Sequence, residues 1–261
     1  MEFPSFDVSR LLRESSLQYV EYHQKLPSTN STAQALLEPL LEQAPSLVLT
    51  SMQTAGRGRK GNQWWSAPGA LTFTLVVAAD DLSVSVERRP LISLAAGLAV
   101  RDALSELASD HEFWLKWPND VLSGTQKISG ILVEQHTLET RPALLIGIGV
   151  NVNNSLKEAP AEICLRATSL FDLSGHSSDL TTVLIAILQR LDFRIAQLTG
   201  QPRMALSDAN RFHLLAGRSL CVQQGEERIY GDCVGIDEDG QLVLQCEDGI
   251  HRCSSGIVAQ W

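Results

Sequence analysis

The sequence predicts an α+β body followed by a small all-β module. Three observations carry this. Segments with apolar residues at helical spacing, such as 91–108 and 178–198, stand beside runs rich in β-branched and apolar residues, such as 70–78. The last 45 or so residues change to in-out alternation with short turns, the pattern of a small barrel. The one run that would argue for a dinucleotide fold, GRGRKG from Gly56, has the G-x-G-x-x-G spacing but the wrong sequel. NQWWSAPGA follows it, broken by Pro68 and Gly69, where a dinucleotide turn needs a helix N-terminus. Position 76 is Val, so no acid stands ~20 residues on to take a ribose hydroxyl.

The elements follow in order. Residues 1–26 are a short lead with one helix and one strand, YVEYH. In PSTNSTAQALLEPLLEQ, Ser31 and Gln34 have capping-box spacing, which places Ser28, Thr29 and Asn30 in a loop at a helix start. Pro39 should kink or end that helix. SLVLTSM (46–52) and ALTFTLVVA (70–78) read as strands, and 91–108 as a long helix. FWLKW (113–117) is a strand stopped by Pro118-Asn119. Residues 127–135 and 143–152 read as a hairpin, and 178–198 as a helix with a broad apolar face. In the final module, turns fall at Gly225 and at DEDG (237–240), and the boundary falls near 215, dividing the chain into 1–214 and 215–261.

Composition bounds the function. The chain has 261 residues, 44% of them hydrophobic, enough for one sizeable domain plus a small one. Its net charge of −9 excludes a general nucleic-acid footprint, so an anion site must be a local cationic patch. Arg57, Arg59 and Lys60 form one, on a glycine-rich loop able to fold over a ligand. The five cysteines show no C-x-x-C pair and read as small apolar residues on strands. With no apolar run of signal-peptide or membrane-spanning length, the expectation is a reduced, cytoplasmic protein, off the membrane. Among the six histidines there is no H-E-x-x-H pattern.

Three further stretches point to chemistry. LPSTNSTA offers small hydroxyl and amide groups for a polar ligand. LKWPND delivers Lys116 on a strand and then turns to present Asn119 and Asp120. In QKISGILVE, Lys127 opens an apolar strand and Gly130 leaves room for close approach. With STN at 28–30, QTAGRGRKG at 53–61, WW at 64–65, KWPND at 116–120, KISGILVE at 127–134 and GIGVNVN at 147–153, the chain resembles the biotin–protein ligases. The likeness is dense over residues 20–155, and the C-terminal β module also fits.

The resemblance implies a mixed or antiparallel sheet with helices, like the class II synthetases, and an SH3-like C-terminal barrel. It implies an ATP-dependent ligase that makes biotinyl-5′-AMP and transfers biotin to a lysine of a carboxylase's biotin carboxyl carrier domain. Ser28, Thr29, Asn30, Gln53, Gly56, Arg57, Gly58 and Gly130 would then hold biotin, with Arg59 and Lys127 facing its carboxylate and the α-phosphate. Trp64 would stack on adenine, while Lys116, Asn119, Gly149 and Asn151 would serve the nucleotide and its Mg²⁺, for which no protein-only cage is expected. Lys127, Arg59 and Asp120 would be catalytic, Asp120 by steering the attacking amine. Some members carry an N-terminal DNA-binding domain; only about 25 residues precede STN here, so the expectation is the enzyme without it, and no DNA partner. Two alternatives stay open, a lipoate or octanoate ligase of the same kind and a non-catalytic biotin sensor. A sheet edge is free in principle for a homodimer or for the carrier.

Overall fold

The computed structural model describes residues 6–82, 84–85, 88–89 and 91–261. A seven-stranded sheet forms the body. Its strands are β1 (Tyr19–His23), β2 (Ser46–Thr50), β5 (Ala70–Ala78), β6 (Trp114–Lys116), β7 (Asp120–Ser123), β8 (Gln126–Leu138) and β9 (Arg141–Asn151), in the order β1-β2-β5-β9-β8-β7-β6. Only β1 and β2 run parallel. Two short strands, β3 (Gly56–Arg57) and β4 (Gln63–Trp64), make a separate hairpin.

One face of the sheet packs on α4 (Leu91–Leu107) and α7 (Leu180–Gly200), the two long helices that the sequence periodicity predicts, and α1 (Val8–Glu14) is tied to α7 by Arg10 on Thr182. The other face is covered only over part of its length, by α2 (Thr29–Ala35) and α3 (Leu37–Glu42). Strand β9 shows the consequence. Leu144, Ile146, Ile148 and Val150 point into the large core, and Ala143 and Leu145 into the core under α2 and α3. The next residues on that second face are Gly147 and Gly149, where the helices no longer cover the sheet and a cleft begins.

The break between α2 and α3 falls at Leu36, three residues before Pro39, which sits in the first turn of α3, where a missing N–H costs nothing. The expected capping box is not formed. α2 starts earlier, with Ser28 at the cap position and Thr29 and Asn30 already in its first turn. Its N-terminus is satisfied from a distance instead: the Gln53 side-chain oxygen accepts from the Thr29 N–H at 2.7 Å.

The hairpin over 127–152 forms as expected but is longer, closing at Glu139 with a positive φ of 53°. Sequence periodicity left unread the short helices α5 (Ala161–Cys164) and α6 (Leu170–Ser174), strand β7, and α8 (Pro202–Arg211), which opens with proline at its first position.

The C-terminal module is an antiparallel sheet of five strands, β10 (Ser219–Gln224), β11 (Glu227–Ile236), β12 (Leu242–Cys246), β13 (Gly249–Cys253) and β14 (Ile257–Gln260), in the order β13-β12-β11-β10-β14. Its interior, including Leu220, Val222, Leu242 and Leu244, is continuous with the core of the body. Asn210 on α8 clamps the end of β11 by bonding both the N–H and the C=O of Ile236, at 2.8 and 2.9 Å. The indole N–H of Trp117 donates to the Gly240 carbonyl at 3.0 Å. All five cysteines are free thiols. Among the described residues no helix is long and apolar enough to cross a membrane.

Candidate active site

One row of residues runs straight across four ladders on the uncovered face: Lys116 opposite Asp120, Asp120 opposite Gly130, Gly130 opposite Gly149, and Gly149 opposite Thr72. Cross-strand partners share a face, so this register alone gathers residues more than forty positions apart. Above the row lies a cleft of about 910 Å³, counting its open mouth. Its far wall is the β3–β4 hairpin, and Gly256, Ile257 and Val258 of the C-terminal sheet close one side.

Lys127 reaches this cleft through an irregularity. With strict alternation it would point away from Gly130, three residues on. Between the pairs Val121–Ser129 and Leu122–Lys127, strand β8 carries one extra residue, Ile128. This bulge reverses the facing, so Lys127 joins Gly130 on the cleft side. A Cβ at Gly130 would stand 2.9 Å from the Lys127 Nζ. The ammonium pairs with Asp120 at 2.6 Å.

Three cations, Arg59, Lys116 and Lys127, therefore surround the Asp120 carboxylate. Burial pushes the Lys116 pKa below its ordinary value; Asp120 opposes the shift and Lys127 adds to it. Arg59 is lowered in the same way by burial, again opposed by Asp120. Asn119 fixes the arrangement, accepting from Arg59 at 3.3 Å and donating to the Ile131 carbonyl at 2.7 Å. Lys116 also lies 4.8 Å from the centre of the Trp261 ring. A half-buried site with three cations to one carboxylate favours an anion.

The other end of the cleft is neutral and polar. Ser28, Thr29, Asn30, Gln53 and Thr72 line it, all buried. The Asn30 amide is fully engaged: it accepts from Thr74 Oγ1 at 2.6 Å and donates to the Leu132 carbonyl and the Glu134 carboxylate. It can lie there only because residue 147 is glycine, whose Cβ would otherwise come within 2.0 Å of Asn30 Oδ1. Trp64 lies over Gly149 in the same way, with its Cε2 2.5 Å from where a Cβ would be. The 56–64 loop, read from its glycines as flexible, is here a hairpin with a 3₁₀ turn at Arg59–Gly61.

Of the residues singled out from sequence, Ser28, Thr29, Asn30, Gln53, Arg57, Gly58, Arg59, Trp64, Lys116, Asn119, Asp120, Lys127, Gly130 and Gly149 all line this cleft. Gly56 and Asn151 do not. Gly56 lets β3 pass close to the Trp64 carbonyl, 2.5 Å from where a Cβ would be. Asn151 is buried and ties Thr168 and Asn154 together behind the cleft. Arg57 spends its charge on Glu134. Sequence reasoning passed over Glu134, although an acid on the cleft side of an apolar strand, two steps from Leu132 and four from Gly130, is a readable signal. It had no means of finding Gly256–Val258.

Comparison with known proteins gives the family. The model of the biotin/lipoate A/B protein ligase family matches residues 23–153, and that of the biotin protein ligase C terminal domain matches residues 219–260. The bifunctional ligase/repressor BirA of Bacillus subtilis is 32% identical over 92% of this chain and 74% of its own length. The biotin–[acetyl-CoA-carboxylase] ligase of Mycobacterium tuberculosis is 34% identical over 81% of this chain and 77% of its own. Among solved structures, the biotin protein ligase of Aquifex aeolicus in complex with biotin and ATP superposes with a TM-score of 0.75 at 30% identity, covering 92% of this chain and 97% of that one.

Fold and site thus define a ligase. The chain belongs to the biotin/lipoate A/B protein ligase family, with the C-terminal domain of the biotin protein ligases.

Proposed function

We propose that this chain joins biotin to a lysine of a carboxylase's carrier domain, in two steps through biotinyl-5′-AMP. The observation that carries the reading is the polarity of the cleft. Neutral hydroxyls and amides at one end suit a ureido ring, and the cations at the other suit a carboxylate meeting phosphates. The match to the biotin protein ligase C terminal domain favours biotin over lipoate or octanoate.

In the first step a carboxylate oxygen of biotin attacks the α-phosphorus of ATP, and the bond to pyrophosphate breaks. A carboxylate with a pKa near ~4 is already ionised at neutral pH, so the step needs no general base. Its obstacle is repulsion between an anion and a polyanion. Lys127 and Arg59 stabilise the charge that builds there, and Lys116 and Asn119 hold the phosphates. Gly149 leaves the groove in which Trp64 and the adenine would stack. ATP enters as its Mg²⁺ complex. Asp120 is engaged with Lys127 and Glu134 with Arg57, so the cation would be held by phosphates and water.

In the second step the carrier's ε-amine, after losing a proton, attacks the acyl carbon, and AMP leaves. Asp120 steers the amine with the carboxylate oxygen turned from Lys127. The 56–64 hairpin shields the mixed anhydride from water. Residues 1–214 would supply the biotin and ATP contacts and 215–261 the closing wall. The reading places the enzyme in the cytoplasm with its carboxylase partner.

ATP–pyrophosphate exchange tests the reading. Exchange that requires biotin, and is not supported by lipoate or octanoate, is the expected result. Exchange with lipoate moves the chain to the sister activity, and biotin binding without exchange leaves a sensor.

A further inference from the structure

Glu134 makes two contacts that belong to two different walls of the cleft. One carboxylate oxygen receives the Arg57 guanidinium from the β3–β4 hairpin. The other receives the Asn30 amide from α2 at 2.8 Å. Arg57 also reaches back to α2, donating to the Ser31 hydroxyl at 3.1 Å. Apart from this pair the hairpin is held at its turn by the Arg59–Asn119 bond at 3.3 Å and at its end by Trp64 lying on Gly149. Its two strands pair only with each other, and its turn carries Lys60 and Gly61 at positive φ. Asn30 itself is pinned against Gly147 and Thr74, so the anchor does not follow the hairpin if the hairpin moves. Arg57 and Glu134 are about one-third and one-quarter exposed, open enough to part and shielded enough for the pair to count.

We infer that the Arg57–Glu134 pair is a latch that holds the 56–64 hairpin down over the cleft, and that Glu134 is a positioning residue for both the hairpin and Asn30. Arg57 acts here as the hairpin's tether to the sheet, and its charge is neutralised on the spot. The positive charge that the hairpin itself brings to the cleft is that of Arg59, two residues on, and the latch sets where Arg59 sits. The inference rests on the proposed biotin activity only for its ligand arm; the latch itself is a property of the empty protein.

Trypsin reads the latch directly, because Arg57, Arg59 and Lys60 are its sites. In the whole chain without ligand, Glu134→Gln and Arg57→Gln should each speed cleavage at 59–60 by about tenfold, with melting temperature near wild type. The double variant should be cleaved no faster than either single one, since both remove one interaction. Biotin should slow cleavage of the wild type and protect the variants less, and their KM for biotin should rise more than kcat falls. Should Glu134→Gln lower the melting temperature markedly, Arg57→Gln, which leaves Asn30–Glu134 in place, decides the matter. Unchanged cleavage in a variant of wild-type melting temperature, or additive effects in the double variant, overturns the latch. Biotin-dependent exchange that persists beside unchanged cleavage would sink the latch and leave the activity standing, and the reverse pattern would do the opposite.

Discussion

The Lys127 ammonium sits 2.6 Å from an Asp120 carboxylate oxygen, a pairing that exists because a bulge in β8 turns Lys127 to the cleft face. The two residues have separable tasks. Lys127→Met should lower biotin-dependent pyrophosphate exchange by ~10²–10³-fold, the usual loss of a preorganised charge at the reacting phosphate. Asp120→Asn should slow transfer from preformed biotinyl-AMP to the carrier by more than it slows exchange. Single-turnover assays with isolated adenylate check this, and transfer at the wild-type rate would remove Asp120 from the second step.

Gly149 makes room for the Trp64 indole. Gly149→Ala should displace the ring, raise KM for ATP about tenfold, and leave biotin binding nearly unchanged. Calorimetric titration with each ligand separately distinguishes these. Equal losses for both ligands would point to a general collapse of the cleft.

Lys116 faces the Trp261 ring at 4.8 Å, and Arg218 faces the same ring at 5.1 Å. Cation–π contacts of this kind are worth ~0.5–2 kcal/mol, a few-fold to thirtyfold in binding. Trp261→Leu should raise KM for ATP within that range, and Trp261→Phe should restore most of it. Because burial lowers the Lys116 pKa, KM for ATP should also climb on the alkaline side before an ordinary lysine would titrate, and Lys116→Arg should flatten that climb. A pH-independent KM would refute the assignment.

His213 is buried behind the Trp117–Pro118 turn, where its Nε2 accepts from the Trp117 N–H at 3.4 Å. Burial pushes its pKa from 6.5 down to about 4. The unfolded chain therefore binds more protons than the folded one between these values, and stability falls as pH drops through that window. Going from pH 7.5 to 5.0, this residue alone should remove about 2 kcal/mol. Urea denaturation at the two pH values measures it, and His213→Gln, which keeps an acceptor, should lose most of the difference.

Apolar periodicity reports which face of a segment is buried, and the long elements β5, the β8–β9 hairpin, α4 and α7 follow from it. The sequence by itself also placed the chemistry, because STN, KWPND and KISGIL carry polar and charged residues at positions a core would fill with apolar ones. The alternation IGIGVN even records where the helices stop covering β9. Other features depended on the tertiary structure, because they are contacts between segments far apart in the chain. The cap of α2 comes from Gln53, so the local Ser31–Gln34 spacing misled. The 56–64 loop is a hairpin whose Arg57 pairs with an acid 77 positions away. Gly256–Val258 reach the cleft, and Trp261 reaches Lys116, only because the C-terminal sheet shares the body's core. The facing of Lys127 turns on a single inserted residue at Ile128. Period-two patterning states which residues alternate but not where the count slips, and that is settled only when β7 and β8 pair.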